Sequence, residues 1–414
     1  GVHYEIPWPN RELTTARPFR RSPVHHLLVA ANANFGSRMG WERANFFAPP
    51  DADPVIEYSW GKQNWLPWSA AEQVNARTNV TVFDQTSFSK YLLTGPDAER
   101  ALQWLCTADV AVPVGKSVYT GMLNARGTYE SDLTVTRTGA AEYLIVSSAA
   151  TTERDKDHIT KNMPAGARAE LVDVTSAMAV FGVMGPRSRD LLATLTDADL
   201  SDAAFPFGTS RLIALGYATV RATRITYVGE LGWEIYVPTE FAVGVYEDLL
   251  RAGEQFGIVP GGYYAIESMR LEKGYRAFGR ELTPAENPVE AGLLFACKLK
   301  TGIDFLGRAA VEQARADGPR KRLVSFRVDS PDPMLWGGEL ILRDSAVAGQ
   351  VTSAAWGATT GACVGLAYLR AGADAVVTPE WLRSGSYAVN VGGEIHPITV
   401  SLRAIYDPAN ERIR

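Results

Sequence analysis

Apolar and polar positions change period repeatedly along this chain, and each change predicts an element. Residues 89–94 (Ser-Lys-Tyr-Leu-Leu-Thr) alternate as a half-buried strand does, and 80–83 form a second strand candidate just before them. Residues 68–78 predict a helix. So do 97–105, where Pro96 stands near the first turn and its missing N–H is harmless. Between Tyr119 and Val146 three strand-like runs are split by Asn124-Ala-Arg-Gly127 and Thr138-Gly-Ala, both hairpin-type connections. A helix is expected at 149–162, a strand running into a turn at 180–186, and a helix at 187–195. Strands follow at 212–214 and 222–226, then helices at 241–256 and 264–273. Beyond about residue 322 strands dominate, at 323–328, 340–343, 346–353, 387–391 and 395–402.

Residues 1–60 carry turn signals at Pro7, Pro9, Pro18, Pro23 and Pro49-Pro50, and read as an extended arm with one short helix at 24–32. Asp317-Gly318-Pro319 marks a boundary, which divides the chain into 1–60, 61–316 and a β-rich module at 317–414. The pattern predicts an α+β protein with a C-terminal β-barrel.

With 414 residues, 46% hydrophobic and 21% charged, the chain is long enough for two to three domains with full cores. A net charge of −5 offers no basic surface for nucleic acid. No run of 18 apolar residues predicts a membrane span. Cys106, Cys297 and Cys363 have no metal-ligand spacing and fit a reducing compartment, as buried small hydrophobes. The histidines (His3, His25, His26, His158, His396) form no metal set, because adjacent side chains such as His25-His26 diverge, so no metal is expected. The opening Gly1-Val-His-Tyr-Glu-Ile-Pro7 lacks a signal-peptide pattern and reads as a start in mid-stream. The compartment expected is the cytoplasm, or the mitochondrial matrix in a eukaryote. Neither a Gly-x-Gly-x-x-Gly fingerprint nor a phosphate-binding Gly-x-x-x-x-Gly-Lys loop is present.

The candidate chemistry lies in two neighbouring motifs, Arg224-Ile-Thr-Tyr227-Val-Gly229-Glu230-Leu-Gly232-Trp233-Glu234-Ile-Tyr236 and Ile266-Glu-Ser-Met-Arg270-Leu-Glu272-Lys273-Gly-Tyr275-Arg276. Carboxylates suit a strand interior poorly unless something binds them. A flat heterocycle with N–H donors would take a carboxylate at its edge and an aromatic ring on its face. Glu230 and Glu234 are four apart, which in a strand sets them on one face, and a surface pair on an edge strand is the competing reading. Glu267 and Arg270 are three apart on a helical pattern, the spacing of a solvent-facing ion pair. Asp132 stands near a hairpin turn, where a plain turn carboxylate is the competing reading.

These motifs resemble those of the folate-binding T-protein (aminomethyltransferase) family, and most closely the tetrahydrofolate-binding C-terminal half of sarcosine and dimethylglycine dehydrogenases. The resemblance is also carried by Tyr119-Thr-Gly-Met-Leu-Asn124-Ala-Arg-Gly127-Thr-Tyr-Glu-Ser-Asp132 and Pro288-Val-Glu290-Ala-Gly292-Leu, and covers nearly the whole chain. Gly40-Trp41-Glu42-Arg43 resembles the segment just before the folate half of those flavoenzymes. The resemblance implies a three-domain ring with a C-terminal β-barrel domain and folate entering a central hole. Under it Asp132 is catalytic, as base and counter-charge. Glu234 binds the pterin edge with Tyr227 packed beside it, and Arg270 and Tyr119 line the cavity. Backbone groups at Ser147 and Ser148 meet the pterin, while Glu230 receives no contact.

The implied cofactor is tetrahydrofolate. FAD belongs to another half of the related flavoenzymes and is not expected on this chain. The implied partners are a reduced folate, a one-carbon donor derived from an N-methyl amine, and a flavoprotein domain or subunit. The implied reaction is demethylation of the sarcosine or dimethylglycine dehydrogenase type, forming 5,10-methylene-tetrahydrofolate from an iminium or formaldehyde. Two rivals stand beside it. One is the T-protein of the glycine cleavage system, served by a lipoylated carrier. The other is a non-catalytic folate-binding regulatory subunit, against which an intact Asp132 argues.

Overall fold

The computed structural model describes residues 4–413; His3 and the other opening residues Gly1 and Val2, with Arg414, lie outside the described residues. Helices pack on two sheets, and a closed barrel follows them. The first sheet has six strands, in the spatial order Ser210–Leu215, Ala218–Thr223, Gly232–Pro238, Met178–Met184, Val80–Asp84 and Ile258–Gly261. All neighbours in it are antiparallel except the last pair. Its face carries the largest apolar core, in which Phe181 packs on Tyr246 of the helix Ala242–Gly253 and Phe205 on Trp233. The second sheet runs Ser117–Leu123, Tyr129–Gly139, Glu142–Ser147, Ser89–Thr94 and Glu170–Asp173. The helix Ala98–Leu105 covers it with Ala98, Ala101, Leu102 and Leu105, spaced as one helical face.

The barrel closes through Arg322–Val328, Ala362–Leu369, Ala346–Gly357, Leu340–Arg343, Tyr387–Val391 and Glu394–Ser401. The mixed helix-and-sheet architecture and the C-terminal barrel are those expected. Among the described residues no helix is long and apolar enough to cross a membrane.

Several elements differ from the pattern reading. Residues 1–60 are more than an extended arm with a helix, since Ala33–Arg38 and Trp41–Phe47 pair as an antiparallel hairpin. The hairpin buries Trp41, Phe46 and Ala44, and its mixture of Arg, Asn and aromatics hides any alternation. The strand expected at 222–226 is Ala218–Thr223, because the chain leaves the ladder before Arg224. Ala362–Leu369 went unread because every one of its residues is buried, so it shows no period-two signal. The helix Arg308–Asp317 and the short parallel strand Ile258–Gly261 also lay outside the pattern.

Candidate functional site

The hairpin of the second sheet sets the first pair of groups. Asn124 Oδ1 accepts from Arg126 N at 2.9 Å, and Asn124 Nδ2 donates to Thr128 Oγ1 at 2.8 Å, so the turn is locked by its own side chain. Gly121 on one strand then faces Asp132 on the next. Tyr119 Oη donates to Asp132 Oδ2 at 2.9 Å, and Oδ1 takes no side-chain donor among the described residues. Tyr119 is 37% exposed, yet burial pushes its phenol well above the ordinary value. Both facts hold together for a side chain on the wall of a recess, which solvent reaches but protein surrounds. Asp132 shares that setting: desolvation raises its carboxyl to about 6, against the Tyr119 hydrogen bond, which lowers it. The turn-carboxylate reading does not predict such a raised group.

The helix Tyr263–Glu272 forms the facing wall. Arg270 is fully buried rather than part of a solvent-facing pair; Nη1 donates to Glu281 Oε2 at 2.8 Å and to Tyr275 O at 3.0 Å, and Nη2 pairs with Glu267. Glu267 keeps 43% of its side chain exposed. Tyr227 Oη donates to Arg276 O at 3.0 Å, and its ring stacks on Tyr275 with centroids 6.0 Å apart and planes at 16°. Arg270, Glu267, Asp132 and Glu281 all act electrostatically on the Tyr227 phenol, which burial raises above its ordinary value. Asp132, paired with Tyr119, and Arg270 thus both act on Tyr227.

Glu234 lies on the strand Gly232–Pro238, buried at 6% exposure, where Oε2 accepts from Tyr236 Oη at 2.5 Å. Its other oxygen takes no hydrogen bond from the described residues, and desolvation raises its carboxyl. Glu234 acts on the Tyr263 phenol at the start of the helix whose Arg270 faces Tyr227. Those two helix positions are seven residues apart, about 10 Å along the axis. Ser147 ends its strand opposite Leu133, and its buried Oγ has no hydrogen-bond partner among the described residues. Ser148 caps the next turn by accepting from Ala150 N at 3.2 Å.

Glu230 does not share a strand face with Glu234, because the strand begins only at Gly232. It sits in the preceding loop, 1% exposed, as the hub of a network. Glu230 Oε1 accepts from Tyr406 Oη at 2.5 Å and Arg77 Nη1 at 3.2 Å, and Oε2 accepts from Arg412 Nε at 3.2 Å. Arg77 also donates to Val228 O at 2.6 Å and Glu272 Oε2 at 2.9 Å, and lies 4.0 Å over the Tyr406 ring. Lys273 Nζ pairs with Asp407 Oδ2 at 2.7 Å. The C-terminal residues thus tie down the loop that carries Tyr227. Gly229, at φ +79°, belongs to this tie, since a Cβ there would meet Lys273 Cδ at 2.8 Å.

Sequence reasoning missed Arg77, Glu281, Arg276 and Arg43 as neighbours of the site. Arg276 and Arg43 stand inside quoted motifs and Glu281 just past one, but no spacing signals which groups they meet. Among the described residues no group of three or more His, Cys, Asp or Glu could hold a metal. A separate groove of about 690 Å³ involves Glu99, Trp104, Met163 and Ile303, and none of the site residues above lines it.

The chain matches the GCVT N-terminal domain over residues 24–301 and the glycine cleavage T-protein C-terminal barrel domain over residues 321–407. It is similar to 4-methylaminobutanoate oxidase (formaldehyde-forming) of Paenarthrobacter nicotinovorans, 36% identical over 414 residues, covering 100% of this chain and 49% of that protein. It is equally similar to the mitochondrial sarcosine dehydrogenase of Mus musculus, 36% identical over 451 residues with the same coverage of 100% and 49%. The chain thus spans about half the length of these curated relatives. In fold it is similar to the glycine cleavage system aminomethyltransferase T of Bartonella henselae, with a TM-score of 0.79 at 22% identity, covering 94% of this chain and 99% of that one. The chain belongs to the T-protein family of folate-dependent one-carbon transferases.

Proposed function

We propose that this chain condenses a one-carbon unit with tetrahydrofolate to give 5,10-methylene-tetrahydrofolate. The unit would come from oxidation of an N-methyl amino acid, as an iminium or as formaldehyde, and the oxidation would belong to a flavin-bearing domain or subunit outside this chain. The residues present fit a reduced folate. The oxygen of buried Glu234 that takes no donor from the described residues suits an N–H on an amino-pyrimidine edge. The Tyr227–Tyr275 stack supplies a flat apolar wall.

The observation that carries the reading is Asp132, a carboxyl raised to about 6 with one oxygen held by Tyr119 and no side-chain donor among the described residues on the other. At neutral pH such a group is ionised but basic enough to take the proton that the folate nitrogen loses as it bonds to carbon. Its negative charge also offsets the cationic carbon centre. Tyr119 holds the carboxylate in place and stays protonated, because burial and the adjacent charge both oppose its ionisation. The amine, or water when formaldehyde is the donor, leaves as the new carbon–nitrogen bonds close.

The test is methylene-tetrahydrofolate formation by the purified chain from tetrahydrofolate and formaldehyde or an N-methyl-amine-derived iminium, with the uncatalysed condensation subtracted. Turnover only with a lipoylated aminomethyl carrier would move the chain to the glycine cleavage reaction. A protein that carries stoichiometric FAD as purified would sink the assignment of the flavin elsewhere.

A further inference from the structure

The hairpin Ala33–Arg38/Trp41–Phe47 reaches the site at its second strand. Gly262, just before the helix Tyr263–Glu272, has no room for a side chain, because a Cβ there would stand 2.1 Å from Asn45 O. Buried Glu72 accepts from Phe47 N at 2.7 Å and from Gly262 N at 2.8 Å, which pins hairpin and helix to one carboxyl. The pinning sets the Arg43 guanidinium 3.7 Å over the ring of Tyr263.

Arg43 differs from the other arginines around the site. Arg17 is paired with Glu42, Arg77 with Glu230 and Glu272, and Arg270 with Glu267 and Glu281. The Arg43 guanidinium makes no hydrogen bond or ion pair with the described residues, although loss of solvation is the largest influence on it. The carboxylates that act on it do so only at a distance. They are Glu12, whose Oε2 accepts from Ser37 N, and Glu267, already taken by Arg270. Arg38 and Arg280, both exposed, act on the same Glu267. Four guanidiniums thus act on Glu267, and the half-buried planar donor fork of Arg43 is left without a partner among the described residues. A guanidinium so placed gains most from a carboxylate, which it can bind through two parallel hydrogen bonds.

We propose that Arg43 anchors a carboxylate of the ligand that enters this recess. The inference rests on the function proposed above. Two ligands there carry a carboxylate: the glutamyl tail of the folate and the amino-acid part of an iminium donor. Tyr263 holds the guanidinium plane from behind, and the rigid hairpin fixes its distance from the helix.

The experiment compares wild type, Arg43→Met and Arg43→Lys in two arms, after thermal unfolding has shown that the variants are folded. In the first arm, calorimetry measures tetrahydrofolate against tetrahydropteroate, which lacks the glutamyl group. In the second, turnover with formaldehyde alone is compared with turnover on formaldehyde pre-equilibrated with glycine, which supplies the carboxylate-bearing iminium. If the tail is the ligand, wild type prefers tetrahydrofolate and Arg43→Met erases the preference with a loss of about tenfold or more. If the donor is the ligand, KM for the iminium rises by a similar factor, formaldehyde turnover is unchanged and the folate preference stays. Arg43→Lys, which keeps the charge and loses the fork, falls between wild type and Arg43→Met in either case. An equal loss for carboxylate-bearing and carboxylate-free ligands, or no loss, overturns the anchor while leaving the function standing. A wild-type protein that binds neither pterin overturns the function itself.

Discussion

Glu230 and Glu234 stand four residues apart, and both are buried, yet they are finished to different degrees. Glu230 has given its oxygens to Arg77, Tyr406 and Arg412, and so joins the C-terminal tail to the Tyr227 loop. Glu234 has one phenol on one oxygen and nothing from the described residues on the other. A buried carboxylate with an unspent oxygen costs stability unless a ligand completes it, whereas one that closes a network holds the fold in place. Burial alone therefore does not separate a binding group from a structural one. The two glutamates differ in the hydrogen-bond positions that the described residues leave unfilled, and in that respect Asp132 resembles Glu234.

The largest expected effect tests the finished against the unfinished on the chemical side. Asp132→Ala should lower condensation roughly 10²–10⁴-fold while folate affinity changes little, because its proposed role falls on charge that develops in the transition state. Wild-type turnover should also fall as pH drops through about 6, where the raised Asp132 carboxyl takes up its proton. Normal turnover in the variant, after subtraction of the uncatalysed rate, would return Asp132 to a turn residue.

Glu230→Ala should act on the fold instead. It leaves Arg77 buried with one partner fewer and unties Arg412, so denaturant unfolding should show a loss of about 3–5 kcal/mol. Glu234→Ala should do the reverse: little loss of stability, and a loss of roughly 1.5–3 kcal/mol in folate binding, about ten- to a hundredfold. Calorimetry and unfolding on the same two variants would break the comparison if both lost stability and neither lost affinity.

A smaller effect contrasts Glu230 with Glu72, a buried carboxyl whose partners are two neutral backbone N–H groups. Burial raises Glu72 to about 8, so the folded protein keeps a proton that the unfolded chain releases near the ordinary 4.5. That contribution to stability is complete below the unfolded value and is lost as pH rises from about 4.5 towards 8, at about 1.4 kcal/mol per pH unit. Glu72→Gln should flatten that slope. An unchanged pH dependence of unfolding would show that Glu72 is ionised in the native state.

Much of the architecture was legible because most elements keep a clear period. The strands at Ser89–Thr94 and Glu142–Ser147, the helix Ala98–Leu105 and four of the barrel strands fall where the pattern put them or within a residue or two. The illegible elements have a common cause. The fully buried Ala362–Leu369 shows no alternation, and the hairpin strand Trp41–Phe47 is built from Arg, Asn and aromatics that pack on other elements, some of them more than 200 residues away. The expectation that Glu230 and Glu234 share a face failed because a strand's period holds only while the ladder lasts, and the ladder starts at Gly232.

At the candidate site the same division holds. Chain order alone determined the hairpin that puts Tyr119 opposite the strand of Asp132, the two motifs that carry Tyr227 and Arg270, and the family to which they belong, because local turn chemistry and short spacings encode them. Tertiary structure alone decided which polar groups are spent. It buried Arg270 between Glu267 and Glu281, closed Glu230 with Arg77 and the C-terminal Tyr406 and Arg412, and left Arg43, Asp132 and Glu234 with hydrogen-bonding positions unfilled by the described residues. The reason is physical: a side chain's hydrogen-bonding capacity is written in the sequence, but its partners are groups that only folding brings within 3 Å.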